Sequence, residues 1–435
     1  MLRCLCIDFN SYFASVEQQE RPELRGRPVG VAPVMAESTG CIAVSIEAKA
    51  RGLTRNVRVG DARKLCPGIV IVEARPEVYI NYHRRLVEII ERCVHVEAHR
   101  DVMSIDEVAC DLTATFAPCD KAVALAKQIK AVIKRKIGPC LRSSIGIAPN
   151  WLLAKVASDM EKPDGLVVLD DGDVPRKLLH LEPEDIAGIG PNIGERLRRQ
   201  GIDTMEKLYA ADLRLWRGVW RGVRGEQMWR LLHGENLPHF ETQRNQTIGH
   251  GHVLPPELRN EAAATAVLHR LLQKAAMRLR HINHYAGALH VFIAYAGDGQ
   301  WSGDLRITET QDTLVLTKAL NQLLARRPAE LRRRKPIQVG VALFHLLDLS
   351  MHTPDLFEPQ VEESHGRLLK AVDTLNQTFG KNSVYFGSAL GATGYAPMRI
   401  AFTRIPKPEL EEIDRSKNRR LRPLKPALPQ EEFYE

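Results

Sequence analysis

VMSIDEVACDL, residues 102–112, is an apolar run broken by Asp106 and Glu107 side by side. Successive side chains on a strand point to opposite faces, so at least one of these carboxylates must meet whatever the strand packs against. An unpaired buried charge is costly. The stretch therefore requires a cation beside it, a Lys or Arg side chain or a metal ion, unless the pair lies at an exposed hairpin end. On its N-terminal side, LRCLCI (2–7) reads as a strand ending at Asp8, with Asn10 or Ser11 placed to N-cap the helix YFASVEQQ (12–19). A carboxylate at a strand's end, just before a helix, is well placed for chemistry. Short strands and turns follow in GRPVGVAPV (26–34) and GCIAVSIEAKARGL (40–53), then a helical pattern in EVYINYHRRLVEIIERC (77–93). On the C-terminal side come an amphipathic helix, DKAVALAKQIKAVIKRKI (120–137), a strand and turn, RSSIGIAPN (142–150), and a short helix, WLLAKVASDMEKPDG (151–165), stopped by Pro163 and Gly165. Together these pieces make a mixed α/β unit.

The whole chain, 435 residues, is too long for one ordinary core, so several domains are expected. No stretch is apolar for long enough to span a bilayer and the N-terminus lacks the pattern of a secretory signal, which places the protein in the cytoplasm with no membrane partner. Eight Cys residues form no CxxC pair, and Cys4 and Cys6 alternate within a strand, so they read as core rather than as a zinc site or disulfide framework. Lys and Arg outnumber Asp and Glu by 61 to 53, a balance that suits a polyanionic partner. The excess gathers in RRPAELRRRKP (326–336) and RSKNRRLRPLKP (415–426).

From about residue 166 the pattern changes to short helices. EDIAGIGPNIGERLRRQGIDTMEKLYAAD (184–212) shows two helical patterns around the turn Gly188-Ile189-Gly190, with Pro191 suited to a first helical turn. This has the form of a helix-hairpin-helix, whose glycines let backbone N–H groups approach a phosphate. Between 245 and 350 the order is strand, helix, strand, strand, helix, strand, the split βαβ arrangement, with Val267, Leu271, Ala275 and Leu279 forming a buried stripe on its first helix. Of the remaining 85 residues, EESHGRLLKAVDTLNQTFG (362–380) reads as helix, and the Pro-rich, charged end as mobile.

Asp8, Asp106 and Glu107, all placed by strands of one α/β unit, have the chemistry to converge on divalent ions: hard cations such as Mg²⁺ take carboxylate oxygens and complete their shell with water and substrate phosphates. Two such ions can activate an attacking hydroxyl and stabilise a departing oxygen in phosphoryl transfer. The words DFNSYFASVE (8–17), SIDE (104–107), SIGIAPN (144–150) and LAKVASDMEKPDG (153–165) resemble, in order and spacing, the palm and finger motifs of Y-family DNA polymerases, over roughly residues 1–350. The resemblance implies an α/β and α+β multidomain, right-hand polymerase: palm in 1–10 and 78–165, fingers in 11–77, a helical thumb with helix-hairpin-helix in 166–240, a βαββαβ little finger in 245–350 and a C-terminal extension in 351–435. IEAKARG (46–52) and the extension look more like the catalytic subunit of polymerase V than polymerase IV.

The same resemblance implies the roles. Asp8, Asp106 and Glu107, with the backbone carbonyl of Phe9, match the ligands of two Mg²⁺ ions, with Mn²⁺ able to take their place; Glu107 lies nearest the primer end. Phe13 matches the steric gate that leaves no room for a ribose 2′-OH, and Lys162, assisted by Lys155, matches the contact to the triphosphate. Where many members carry Tyr and Arg to hold the phosphates, this chain has Ile46 and Lys49, which supplies charge without a bidentate fork. Primer-template DNA is expected on Gly188, Gly190, Arg196, Arg198 and Arg199 of the thumb and on Arg326, Arg327, Arg332, Arg333, Arg334 and Lys335 of the little finger. HTPDLFEP (352–359) resembles a sliding-clamp docking peptide with Leu356 and Phe357 as anchors, though Thr353 stands in place of the usual Gln. The implied activity is low-fidelity translesion synthesis from deoxynucleoside triphosphates, with mutasome proteins as possible accessories. The alternatives are a non-catalytic adaptor binding DNA and the clamp, and a metal-dependent nuclease, which leaves Phe13 and the order of motifs unexplained.

Overall fold

The computed structural model describes residues 1–95, 102–238, 247–297, 299–353, 359–380 and 382–395. They belong to two compact units that part near residue 242.

In the first unit β1 (Cys4–Phe9) runs into α1 (Tyr12–Glu20); β2 (Val29–Ala32), β3 (Ala43–Val44), α2 (Ile46–Lys49), α3 (Val59–Leu65) and β4 (Val70–Glu73) follow. Next come α4 (Pro76–Cys93), β5 (Val102–Ser104), β6 (Glu107–Asp111), α5 (Cys119–Lys136), β7 (Ser143–Ala148), α6 (Trp151–Met160) and β8 (Leu166–Val168). One sheet has the order β5-β6-β1-β7-β8 and a smaller one the order β3-β2-β4. β1 lies at the centre of the larger sheet, antiparallel to β6 and β7, and is buried along its whole length. That is why Leu5, Cys6 and Ile7 are apolar without alternation: a strand covered on both faces has no solvent side. α6 packs directly on this sheet because Gly146 of β7 has no side chain; a Cβ there would collide with the backbone of Ala154 and Ser158.

Four further helices complete the unit: α7 (Pro191–Arg199), α8 (Met205–Ala210), α9 (Leu213–Trp220) and α10 (Val223–Leu232). Their apolar faces share one core with α6, in which Leu152, Leu153 and Val156 meet Leu197, Trp216, Met228 and Leu231. Only one full helix of the expected helix-hairpin-helix flanks the glycine turn, since the segment before it forms just a 3₁₀ turn, Pro183–Asp185. Gly188 takes a φ of +95°, a left-handed conformation that suits glycine, and Gly190 leads into α7 with Pro191 in its first turn.

The second unit contains β9 (Thr247–Val253), α11 (Glu261–His281), β10 (His284–Tyr295), β11 (Gln300–Thr310), α12 (Thr313–Ala325), α13 (Ala329–Arg332) and β12 (Pro336–Asp348). Its strands pair antiparallel in the order β11-β10-β12-β9, the expected βαββαβ arrangement. Val267, Leu271, Ala275 and Leu279 of α11 are all buried against Leu289, Val291, Val339 and Val341 of the sheet. Beyond the sheet, α14 (Pro359–Phe379) and two 3₁₀ turns fold back on this unit. Arg280 of α11 forms a two-pronged ion pair with Asp373 (2.7 and 2.8 Å), His365 meets Asp312 (2.6 Å), and Ala389 and Ala392 are buried. Part of the C-terminal extension is therefore a docked cover on the helical side. Leu356, Phe357 and the basic run 415–426 lie outside the described residues. Among the described residues no helix is long and apolar enough to cross a membrane.

Candidate active site

Asp106 is not on a strand. It occupies the two-residue turn of the β5–β6 hairpin, and Glu107 opens β6 directly opposite Asp8 of β1. The turn suspends strand alternation, so both carboxylates line one cavity together with Asp8. The hairpin end is not an exposed one: Ser104 and Ile105 are buried, and Asp106 and Glu107 half-buried. The Phe9 N–H donates to the Asp106 carbonyl (2.8 Å), His83 of α4 donates its Nδ1–H to the Ile105 carbonyl (2.8 Å), and Ser104 Oγ donates to the Asp106 carboxylate (2.7 Å).

The cation that this stretch requires is a lysine. Lys155, on the second turn of α6, reaches Asp8 (2.6 Å), Asp159 (3.2 Å) and Glu107, and Lys162 reaches Asp8 and Asp159, both at 2.7 Å. Burial works against the Asp8 charge, yet the two ammonium groups hold its carboxyl below the usual carboxylate range. Asp106 is pushed up by burial, Ser104 compensating only in part. Glu107 is pushed up to about 7, first by burial, with Lys155 opposing and Asp8 adding to the shift. Against the effect of burial, Asp8, Glu107 and Asp159 hold Lys155 firmly protonated.

The donor set is all oxygen, acidic, and incompletely compensated, which is the chemistry a hard divalent cation takes. As the side chains stand, no three His, Cys, Asp or Glu groups among the described residues are gathered closely enough to hold an ion. Lys155 bridges Asp8 and Glu107, and its long stem is the part able to move aside.

The cavity has a volume of about 1560 Å³. Phe13 of α1 lies in its wall, 4% exposed, stacked on Tyr79 of α4 with ring centroids 4.6 Å apart. Tyr79 is itself fixed: its hydroxyl donates to Glu17 (2.8 Å), and its carbonyl accepts from Tyr12 Oη (2.6 Å). Glu17 is fully buried and receives two hydrogen bonds from Arg75 (2.9 and 2.7 Å). Ile46 and Lys49 of α2 line another side.

Two asparagines hold the lysine-bearing segment. Asn10 accepts from the Asp164 N–H (2.8 Å) and donates to Ser144 Oγ (3.1 Å), which seats the loop carrying Lys162. Asn150 caps α6 by accepting from the Leu153 N–H (2.9 Å), while its amide donates to the carbonyls of Leu231 (2.7 Å) and Glu235 (3.0 Å) at the end of α10. Ser11 flanks α1 in a left-handed conformation and its side chain makes no capping hydrogen bond.

Residues 7–159 match the model of the impB/mucB/samB family and residues 245–355 that of the impB/mucB/samB family C-terminal domain. A DNA polymerase IV of Moorella thermoacetica is 32% identical over 401 residues, covering 90% of this chain and 96% of the relative. This chain belongs to the Y-family of DNA polymerases. A DNA polymerase IV of Pelotomaculum thermopropionicum is 30% identical over 402 residues, covering 90% of this polymerase and 97% of its own length. A solved Y-family DNA polymerase chimera matches the fold with a TM-score of 0.65 at 23% identity, over 80% of this chain and 100% of that one. The relatives are of polymerase IV type, which corrects the expectation of a polymerase V catalytic subunit. That expectation leaned on the short IEAKARG stretch and on the extension, whereas the similarity to polymerase IV runs along nearly the whole chain. The non-catalytic adaptor finds no support.

Some of the expected DNA contacts of this Y-family polymerase are occupied elsewhere. Arg327 is buried, paired with Glu261 and hydrogen-bonded to Tyr295 Oη (3.3 Å), so it braces the second unit from inside. Arg196 is half-buried and donates to the Val219 carbonyl (3.0 Å). Arg326, Arg332, Arg333, Arg334 and Lys335 are exposed, as are Gly188, Gly190, Arg198 and Arg199. Of the cavity lining, Arg55, Trp151, Arg224 and Gln227 were not foreseen. The Arg55 signal was present, as a cation six positions after Lys49, but nothing in a single sequence aims a loop side chain.

Proposed function

We propose that this Y-family polymerase extends a primer 3′-hydroxyl on a DNA template by two-metal-ion phosphoryl transfer, tolerating damaged templates at the expense of fidelity. The observation that carries the reading is the convergence of Asp8, Asp106 and Glu107 in one cavity whose wall holds Phe13. Asp8, Asp106, Glu107 and the Phe9 carbonyl would hold two Mg²⁺ ions, which when bound lower the pKa of the attacking hydroxyl and offset charge on the transferred phosphoryl group. The protein's own groups do the rest. Phe13, backed by Tyr79, excludes a 2′-OH; Lys162 and Lys155, released from Asp8, supply positive charge to the triphosphate. A cavity of about 1560 Å³ exceeds the roughly 300–1,000 Å³ of ordinary small-molecule sites, which supports room for a bulky template base.

In this reading residues 1–10 and 78–165 are palm, 11–77 fingers, 166–240 thumb, 245–350 little finger and 351–435 the extension. The exposed cations Arg326 and Arg332 to Lys335 grip template or primer phosphates, and Leu356 and Phe357 dock on the sliding clamp. The test is primer extension with Mg²⁺ and four deoxynucleotides by the protein and by Asp106→Ala. Extension by the first and none by the second is expected; equal extension by both removes the acidic cavity from the chemistry.

A further inference from the structure

Glu17 of α1 is a fully buried carboxylate for which the chemistry proposed above has no use. Neither it nor its partners Arg75 and Tyr79 line the cavity. Taking a carboxylate out of water is costly, and a buried ion pair is often no more stable than apolar side chains packed in its place. What such a pair can supply instead is one geometry where several would otherwise pack.

The geometry fixed here is that of one ring. The Arg75 guanidinium donates to both oxygens of Glu17 (2.9 and 2.7 Å), and Tyr79 Oη donates to one of the same oxygens (2.8 Å). Arg21 places a second cation 3.6 Å from the Glu17 carboxylate. Arg75 immediately precedes α4, so the ion pair ties the start of that helix to α1. Tyr79 is thereby held at both ends, by a backbone carbonyl that accepts from Tyr12 Oη (2.6 Å) and by its own hydroxyl on Glu17. Its ring is fully buried and backs Phe13, the two planes 20° apart. An aromatic stack alone lets a ring slide, whereas charge-assisted hydrogen bonds are short and directional. The penalty on a 2′-OH is the cost of displacing the Phe13 ring, so it depends on whether the surface behind that ring yields.

We propose that Glu17 and Arg75, acting through the Tyr79 hydroxyl, are positioning residues for sugar selection: they deny the Phe13 ring the small displacement that a ribose 2′-OH requires. The assignment rests on the polymerase reading above, in which Phe13 is the gate. It is tested with the full-length protein in assays where a ribonucleotide and a deoxynucleotide compete for insertion, comparing wild type, Phe13→Ala, Tyr79→Phe and Glu17→Gln. Tyr79→Phe keeps the ring and its stack and removes only the tether; Glu17→Gln removes the charge that binds Arg75. Each raises the ratio of ribonucleotide to deoxynucleotide insertion by roughly 3- to 10-fold, less than Phe13→Ala does. Placed in the Phe13→Ala background, neither changes the ratio further, because no ring remains to be positioned. A merely structural loss lowers both insertions alike and leaves the ratio at its wild-type value. Ratios within about twofold of wild type in both variants, with Phe13→Ala raising its own, overturn the proposal; so does a further rise in the Phe13→Ala background, which would mean that the network acts other than through the ring. If Phe13→Ala leaves the ratio unchanged, Phe13 is no gate and the proposal falls with it. If wild type inserts neither nucleotide, the polymerase reading falls, and equilibrium binding of a ribonucleoside and a deoxynucleoside triphosphate decides the role of the tether: Tyr79→Phe narrows the difference between the two if the tether sets it, and an unaltered difference overturns the proposal.

Discussion

His83 lies in α4 with 5% of its surface exposed, its Nδ1–H donating to the Ile105 carbonyl behind the turn that carries Asp106. Burial pulls its pKa down to about 4, with the Ile105 bond opposing and Arg84 assisting. In the unfolded chain it titrates near 6.5, so below that pH the unfolded state takes up a proton that the folded state refuses. Stability is therefore full above pH 6.5 and declines as pH falls toward 4. A gap from 6.5 to about 4 is worth about 3 kcal/mol in total, of which about 2 kcal/mol is already lost at pH 5. The assay is urea unfolding at pH 7.5 and pH 5 of wild type and His83→Gln, which keeps a donor for Ile105 but has no titrating group. Tryptophan fluorescence reports mainly on the first unit, which holds Trp151, Trp216, Trp220 and Trp229, leaving Trp301 in the second. Carboxylates titrate in both proteins and cancel in the comparison. Wild type should lose about 2 kcal/mol more than His83→Gln between the two conditions. Equal losses would show that His83 is not held neutral in the folded state.

Phe13→Ala removes the ring that is stacked on Tyr79 and should raise ribonucleotide incorporation relative to deoxynucleotide by roughly 10- to 100-fold; unchanged discrimination in competition assays would take Phe13 out of the gate. Glu17→Ala leaves Arg75 and the Tyr79 hydroxyl without their buried acceptor and should cost about 3–5 kcal/mol in urea unfolding, so a cost under about 1 kcal/mol would mean that the network is easily replaced. Arg332→Ala combined with Arg333→Ala should weaken primer-template binding and reduce the slope of log affinity against log salt by about 2, and an unaltered slope would place the DNA phosphates elsewhere.

What could be read without coordinates followed short-range rules. The unbroken apolar run of β1, the buried stripe of α11 and the acids at strand ends all express local periodicity. The demand for a cation beside Asp106 and Glu107 was also legible, because it follows from burial alone; that Lys155 meets it was not, since α6 comes against β1 only through long-range packing at Gly146. Alternation misled at Asp106, where a two-residue turn replaces the strand. Composition misled at Arg327, because a basic run says nothing of which member faces inward to Glu261. The sequence offered Asn10 only as an N-cap candidate, and its actual work was out of reach, as both of its partners, Ser144 and Asp164, are more than 130 residues away.

The amide of Asn150 puts one acceptor and two donors on a single planar group, and the first unit uses all three. If α10 draws back, either two hydrogen bonds break, at a net cost of about 1–3 kcal/mol, or α6 travels with it. α6 carries the ammonium that lies between Asp8 and Glu107. A displacement of α10 and the position of Lys155 are thereby linked through a side chain that lies outside the cavity lining. Asp at this position would keep the link to α6 and strip the one to α10, because a carboxylate can accept from Leu153 but has no N–H to give to Leu231 or Glu235.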